Sequence, residues 1–186
     1  MAATIRAVTA LLLVGGLAAC GDDDGDSDGG GEAVDAPDTI TVTSPAFADG
    51  EEVPVEFTCD GEDVSPALAW SGVPEDALEL AVIMEDPDAS GGTFVHWVLW
   101  GLDAGSPGLT EDGAPDSAPH GSNGAGDTAW AGPCPPEGSG THHYEFTVLA
   151  LSGPLDVEPG ASADEVRQAA EDVVLAQGQL TGIYER

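Results

Sequence analysis

Five apolar runs after residue 39 set the frame of this chain. "TITVTS" (39–44) and "VPVEFT" (53–58) alternate polar and apolar residues with period two, which predicts half-buried strands. "LELAVIM" (78–84), "FVHWVLWGL" (94–102) and "YEFTVLAL" (144–151) are denser, and predict interior strands buried on both faces. The period changes in "SADEVRQAAEDVVLAQGQ" (162–179), where Val166, Ala169, Ala170, Val173 and Val174 mark one helical face. Ser162 and Glu165 supply an S-x-x-E capping box at its start, and Gly178 reads as its stop. The pattern predicts a mainly β domain with one helix near the C-terminus. From Gly105 to Gly140 the apolar residues are scattered among Gly, Pro and Ser, and a loop of that length is expected to be functional or mobile.

The N-terminal part follows another logic. Arg6 precedes an apolar segment, Ala7 to Leu17, and then "LAAC" ends at Cys20. A mainly apolar segment of eleven residues is too short to span a bilayer but suits the h-region of a secretory signal. "LAAC" resembles a bacterial lipobox, so residues 1–19 are expected to be a signal peptide and Cys20 the acylated first residue. The competing reading is a secreted protein cleaved nearby. Residues 21–38, "GDDDGDSDGGGEAVDAPD", carry eight acidic side chains and almost nothing to bury. Such a segment cannot offset the entropy of ordering, and residues 20–38 are expected to form a flexible tether of roughly 25 Å. The expected folded domain is 39–186, extracytoplasmic and lipid-anchored to a bacterial membrane.

Charge narrows the partners. Thirty-five Asp and Glu face three Arg and no Lys, a formal net charge of -32. A polyanion repels nucleic acid and anionic lipid surfaces, which excludes nucleic acid as a partner class. The plain reading of this acidity is a well-solvated surface, suited to a salty setting.

With Cys20 assigned to lipid, Cys59 and Cys134 remain. Outside the cytoplasm two such thiols tend to pair, and closing that loop would stabilise by roughly 4 kcal/mol. The alternatives are two buried thiols or a metal site, although neither cysteine has a second ligand close in sequence.

Candidate chemistry gathers at strand ends. In "EDPDASGGTFVHW" (85–97), Asp86 and Asp88 share a face only if the strand persists, and Pro87 argues for a turn instead. Alternation places His96 on one face with Phe94 and Val98; taken alone, it reads first as a core histidine satisfied by one hydrogen bond. "GTHHYEFTVLAL" then puts His142 and Tyr144 on one side of a strand and His143 on the other. Three of the four histidines thus sit at strand starts beside an Asp-rich turn, while His120 lies apart in the long loop. That grouping favours a small polar pocket.

These residues carry a resemblance. "FTCDGEDVSPALAWSGVP", "EDPDASGGTFVHWVLWGL", "WAGPCPPEGSGTHHYEFTVLAL" and a terminal helix followed by "LTGIYER" occur in the order seen in the phosphatidylethanolamine-binding proteins, specifically their bacterial Raf-kinase-inhibitor-like branch. The likeness covers Ser44 to the end. It implies a large antiparallel sheet packed on a smaller one, a C-terminal helix, and a shallow anion pocket at one end. Carried across by motif, it implies Asp86, His96, His142 and Tyr144 as ligand-binding residues. Two positions depart from the family pattern: Ser90 stands where a proline is usual, and His143 where an arginine is usual. The first should loosen the turn at the pocket rim; the second should alter a neighbouring pairing more than the pocket.

The expected function is a membrane-tethered, non-catalytic binding module for a phosphorylated or carboxylated ligand or a lipid head group, without a cofactor. Two imidazoles, a phenol and strand-end N–H groups can bind such a ligand within a negative field, and Asp86 beside a histidine would favour its imidazolium. Binding is expected to be weak, stronger below pH 7 and partly rescued by salt, with a zwitterionic head group repelled least. The alternative is an interaction protein inhibiting a kinase or peptidase through the long loop. A hydrolase ranks third, because no G-x-S-x-G elbow or H-E-x-x-H helix is present. A metal held by Asp86, His96 and His142 is a further minor reading, with no metal assigned.

Overall fold

Strand β3 (Glu79–Asp86) is buried on both faces along most of its length, and the molecule is built around it. The computed structural model describes residues 34–186; the expected signal segment, Cys20 and most of the acidic tether lie outside the described residues. β3 sits between β4 (Phe94–Asp103) and β6 (His142–Leu151), and β7 (Val174–Tyr184) completes an antiparallel four-stranded sheet in the order β4-β3-β6-β7. A smaller antiparallel sheet holds β1 (Thr41–Thr43), β2 (Leu68–Ser71) and β5 (Gly108–Leu109).

The two sheets enclose the main core, where Val82, Met84 and Phe146 pack with Val42, Leu68 and Trp70. On the other face Ala81, Ile83 and Leu149 pack beneath Ala163, Val166 and Ala170 of helix α1 (Ala163–Ala170). Two-sided cover explains why the central strands read as unbroken apolar runs rather than alternating ones.

Three sequence expectations are corrected. The capping box forms as read, with Ser162 and Glu165 bonding reciprocally, but the helix ends at Ala170 rather than near Gly178. Residues 174–184 instead pair with the whole of β6, because "VLAQGQLTGIY" alternates with period two and the ladder offers it a complete set of partners. Gly178 therefore caps no helix. It allows a close approach: a Cβ there would lie 2.0 Å from the Ile40 carbonyl oxygen. "VPVEFT" is no strand but a 3-10 turn at Val55–Phe57, since Pro54 has no N–H for a ladder and its carbonyl receives the Phe57 N–H at 3.0 Å. The short strand β2 lies in "LAWS", which the apolar pattern did not single out.

A β-bulge in β4 sets the orientation of His96. Met84 pairs with Trp97 and Glu85 with Val95, so His96 is the extra residue of a β-bulge. Trp97 faces the main core while Val98 packs on the helix side. His96 therefore shares its face with Phe94 and Trp97, not with Val98.

Irregular segments cover both edges of the large sheet. Along β4, the N–H groups of Gly121, Gly124 and Ala131 donate to Val98, Val95 and His96 at 3.0, 2.8 and 3.2 Å. Along β7, Ile40, Gly50 and Val53 donate to Gln177, Thr181 and Ile183 at 3.0, 2.7 and 2.8 Å. Packing reaches back to Val34, which is buried in the helix-side cluster, and Asp38 bridges Gln177. Among the described residues no helix is long and apolar enough to cross a membrane.

Candidate functional site

The end of β3 and the starts of β4 and β6 meet at one end of the large sheet, and a cleft of about 470 Å³ opens there. Asp86, His96 and His142 line it, together with Phe94 from β4 and Gly132, Pro135 and Pro136 from the long loop. The three polar residues are only 4%, 4% and 5% exposed, so each is held by packing as well as by hydrogen bonds. Tyr144 is fully buried and does not line the cleft; its ring meets His96 edge-on, with centroids 5.2 Å apart. Among the described residues its hydroxyl has no hydrogen-bond partner. Burial, with the Asp86 and Asp88 carboxylates nearby, raises the phenol's pKa, so it stays protonated.

Each imidazole is oriented through Nδ1. In His96, Nδ1 lies 2.7 Å from the carbonyl oxygen of Ala131, which can only accept, so this nitrogen carries the proton. In the neutral ring Nε2 then keeps a lone pair, and no protein hydrogen bond to it is formed among the described residues. Desolvation lowers the His96 pKa, opposed by the Ala131 carbonyl and the Asp86 charge, so near neutral pH the ring is uncharged. In His142, Nδ1 donates to Asp86 Oδ2 at 2.7 Å and Nε2 lies 3.0 Å from Ser139 Oγ.

The turn after β3 separates its two carboxylates. Asp88 N–H donates to Asp86 Oδ1 at 2.8 Å, closing the turn that Pro87 implied. Asp86 points into the cleft, whereas Asp88 lies outside, where its Oδ2 accepts from both the backbone N–H and the ring Nδ1 of His143 at 2.8 and 2.7 Å. His143, the residue at the family's arginine position, therefore holds the turn from outside. Those hydrogen bonds lower the Asp88 pKa. Ser90 lines the cleft rim.

Among the described residues no arginine lines the cleft. Arg186 is committed to Asp60, through Nε and Nη2 at 2.8 and 2.9 Å, although its Nη1 also approaches Cys134 Sγ. Arg167 pairs with Glu85 across a second cleft, of about 530 Å³, on the helix side of the sheet. Cys134 and Cys59 are bonded as a disulfide, which ties the cleft wall to the loop after the 3-10 turn. Among the described residues no three His, Cys, Asp or Glu converge as a metal site. His120 stays apart, bridging Leu99 with its ring near Trp97. The Ala131 carbonyl and Ser139, which hold the two imidazoles, carried no individual signal in the sequence beyond lying in the Gly- and Pro-rich stretch.

The fold and site define a two-sheet β protein with a small polar cleft at its strand ends. The family model "Phosphatidylethanolamine-binding protein" matches residues 43–185, and the chain belongs to that family. It is 41% identical over 195 residues to "Putative lipoprotein LppC" of Mycobacterium tuberculosis, covering 98% of this chain and 96% of that protein. It is 44% identical over 152 residues to a UPF0098 protein of Methanothermobacter thermautotrophicus, covering 79% of this chain and 99% of that one. The crystal structure of Escherichia coli YbcL, described as a member of the mammalian PEBP family, superposes with a TM-score of 0.74 at 32% identity, covering 80% of this chain and 99% of that one.

Proposed function

We propose that this chain is a lipid-anchored binding protein whose strand-end cleft takes a small phosphorylated or carboxylated ligand or a zwitterionic head group. The observation that carries the reading is His96: a buried imidazole lining the cleft, fixed through Nδ1, with Nε2 unbonded among the described residues. Family membership, and the lipid named for the family, support a phosphoryl head group as the ligand class.

The chemistry follows from the tautomer. Neutral His96 presents a lone pair, so an anionic oxygen needs the ring to take up a proton before Nε2 can donate. Since burial has lowered its pKa, binding of a bare anion is coupled to proton uptake and strengthens as pH falls. A ligand carrying its own donor, such as a hydrogen phosphate or an ammonium group, meets the lone pair without that cost. With both described arginines paired elsewhere, affinity is modest. Tyr144 backs the His96 ring from beneath the cleft lining, and His142 forms a wall, locked by Asp86.

Anchoring at Cys20 rests on the lipobox-like "LAAC" and on the lipoprotein name of the mycobacterial relative. Titration of the isotopically labelled protein with phosphorylethanolamine tests the ligand reading: His96 ring signals should shift, and His96→Ala should abolish shifts at the remaining cleft residues. Saturating ligand that leaves the His96 signals unmoved would overturn it. Intact mass of protein from a lipidating host, with a diacylglyceryl increment on Cys20, tests the anchor.

A further inference from the structure

We propose that the turn before β6, beside the cleft rather than in its lining, carries an acyl-transfer centre, with Ser139 as nucleophile, His142 as general base and Asp86 as its positioning residue, acting on small carboxylic esters. The three side chains form a continuous relay. Ser139 Oγ lies 3.0 Å from His142 Nε2, and His142 Nδ1 lies 2.7 Å from Asp86 Oδ2. A carboxylate only accepts, so Nδ1–H donates to Asp86, and Nε2 of the neutral ring accepts the Ser139 hydroxyl proton. That is the tautomer a general base needs, and it is fixed by a pair in which both partners are nearly sealed from solvent.

Ser139 itself is exposed, in the turn that leads into β6, so a substrate can reach it. Among the described residues the two amides that follow it, of Gly140 and Thr141, make no backbone hydrogen bond, and they are the donors the proposal assigns to a developing oxyanion. Gly140 has φ +92 and open space where a Cβ would sit, so the backbone after the nucleophile is unobstructed. The adjoining cleft, walled by Phe94, Pro135 and Pro136, is sized for a short acyl group. The sequence hid this centre because Ser139 lies in "EGSGTHH", with the serine three residues before the histidine rather than in a G-x-S-x-G elbow.

The chemistry balances with water as the only co-reactant. Ser139 Oγ bonds to the ester carbonyl carbon as its proton passes to His142 Nε2. The carbon–alkoxy bond then breaks, and the alcohol leaves with that proton. Water attacks the acyl-serine, gives its proton to Nε2, and the carboxylic acid departs as the proton returns to Ser139. This inference shares Asp86 and His142 with the anion-binding reading but not its deciding residue, His96, so the two can fail separately.

The test uses the full chain treated with a fluorophosphonate probe and, separately, with p-nitrophenyl acetate. A single covalent adduct on Ser139 is expected by peptide mass spectrometry, together with ester turnover. Ser139→Ala, an exposed substitution whose folding is checked by thermal melting, should abolish the adduct and lower turnover about a hundredfold. His142→Gln should slow labelling of the intact Ser139 by a similar factor. No adduct on Ser139, turnover unchanged in Ser139→Ala, or labelling unchanged in His142→Gln would each overturn the proposal.

Discussion

Asp86 Oδ2 and His142 Nδ1 lie 2.7 Å apart, joining the last residue of β3 to the first residue of β6 where both are buried. The two residues are 56 apart in sequence, so their meeting is a product of the ladder between those strands. Removing one partner strands the other away from water. Asp86→Ala should therefore cost about 2–3 kcal/mol, read from urea unfolding midpoints at constant m. Asp86→Asn keeps an acceptor for the Nδ1 proton, and should cost about 1 kcal/mol less.

His96 gives a pH signature. Its folded pKa is lowered, so below the ordinary histidine value the unfolded chain binds the proton first and the folded state loses stability. This loss sets in as pH falls through about 6.5 and stops once the folded ring titrates. His96→Phe, which places an apolar ring beside Phe94 and Tyr144, should flatten that limb when melting temperatures of the two proteins are compared between pH 7 and 5. Parallel curves for wild type and variant would refute the assignment.

Gly178 tests the close approach of the N-terminal segment to β7. A Cβ there meets the Ile40 carbonyl oxygen at 2.0 Å, with backbone rather than a flexible side-chain end in the way. Gly178→Ala should cost about 2–3 kcal/mol. Gly153→Ala, where nothing lies within 4 Å of the added carbon, should stay within about 0.5 kcal/mol of wild type. Chemical denaturation of both variants gives the contrast.

The disulfide closes a loop with a sequence separation of 75. Replacing both cysteines with serine should lower stability by about 4 kcal/mol through the freer unfolded chain. Because Cys134 lines the cleft, the same variant should also broaden the NMR signals of Gly132 and Pro136 neighbours while those of β6 stay sharp.

Much of this molecule could be read from the chain. The dense runs located β3, β4 and β6 because burial on both faces leaves no polar positions, and the S-x-x-E box fixed the start of α1 because reciprocal capping is local. What escaped depends on contacts distant in sequence. Residues 173–178 carry a helical spacing and a strand alternation at once, and only the free edge of β6 decides between them. The bulge at His96 has no local mark, yet it turns two neighbouring residues to one face. Asp86, His96 and His142 were legible as a polar group because three strand ends carry them. The depth of Tyr144 and the bond from Ser139 to His142 depend on side-chain reach, which period-two alternation does not contain.

The covered margins of the large sheet have a consequence for recognition. With the β4 margin taken by the long loop and the β7 margin by residues 38–53, a peptide finds no vacant backbone row on which to add as a fifth strand. A macromolecular partner that meets the large sheet must then be chosen through side chains, over the cleft mouth or the acidic flanks, and a lone extended segment should not be captured along that sheet's margins.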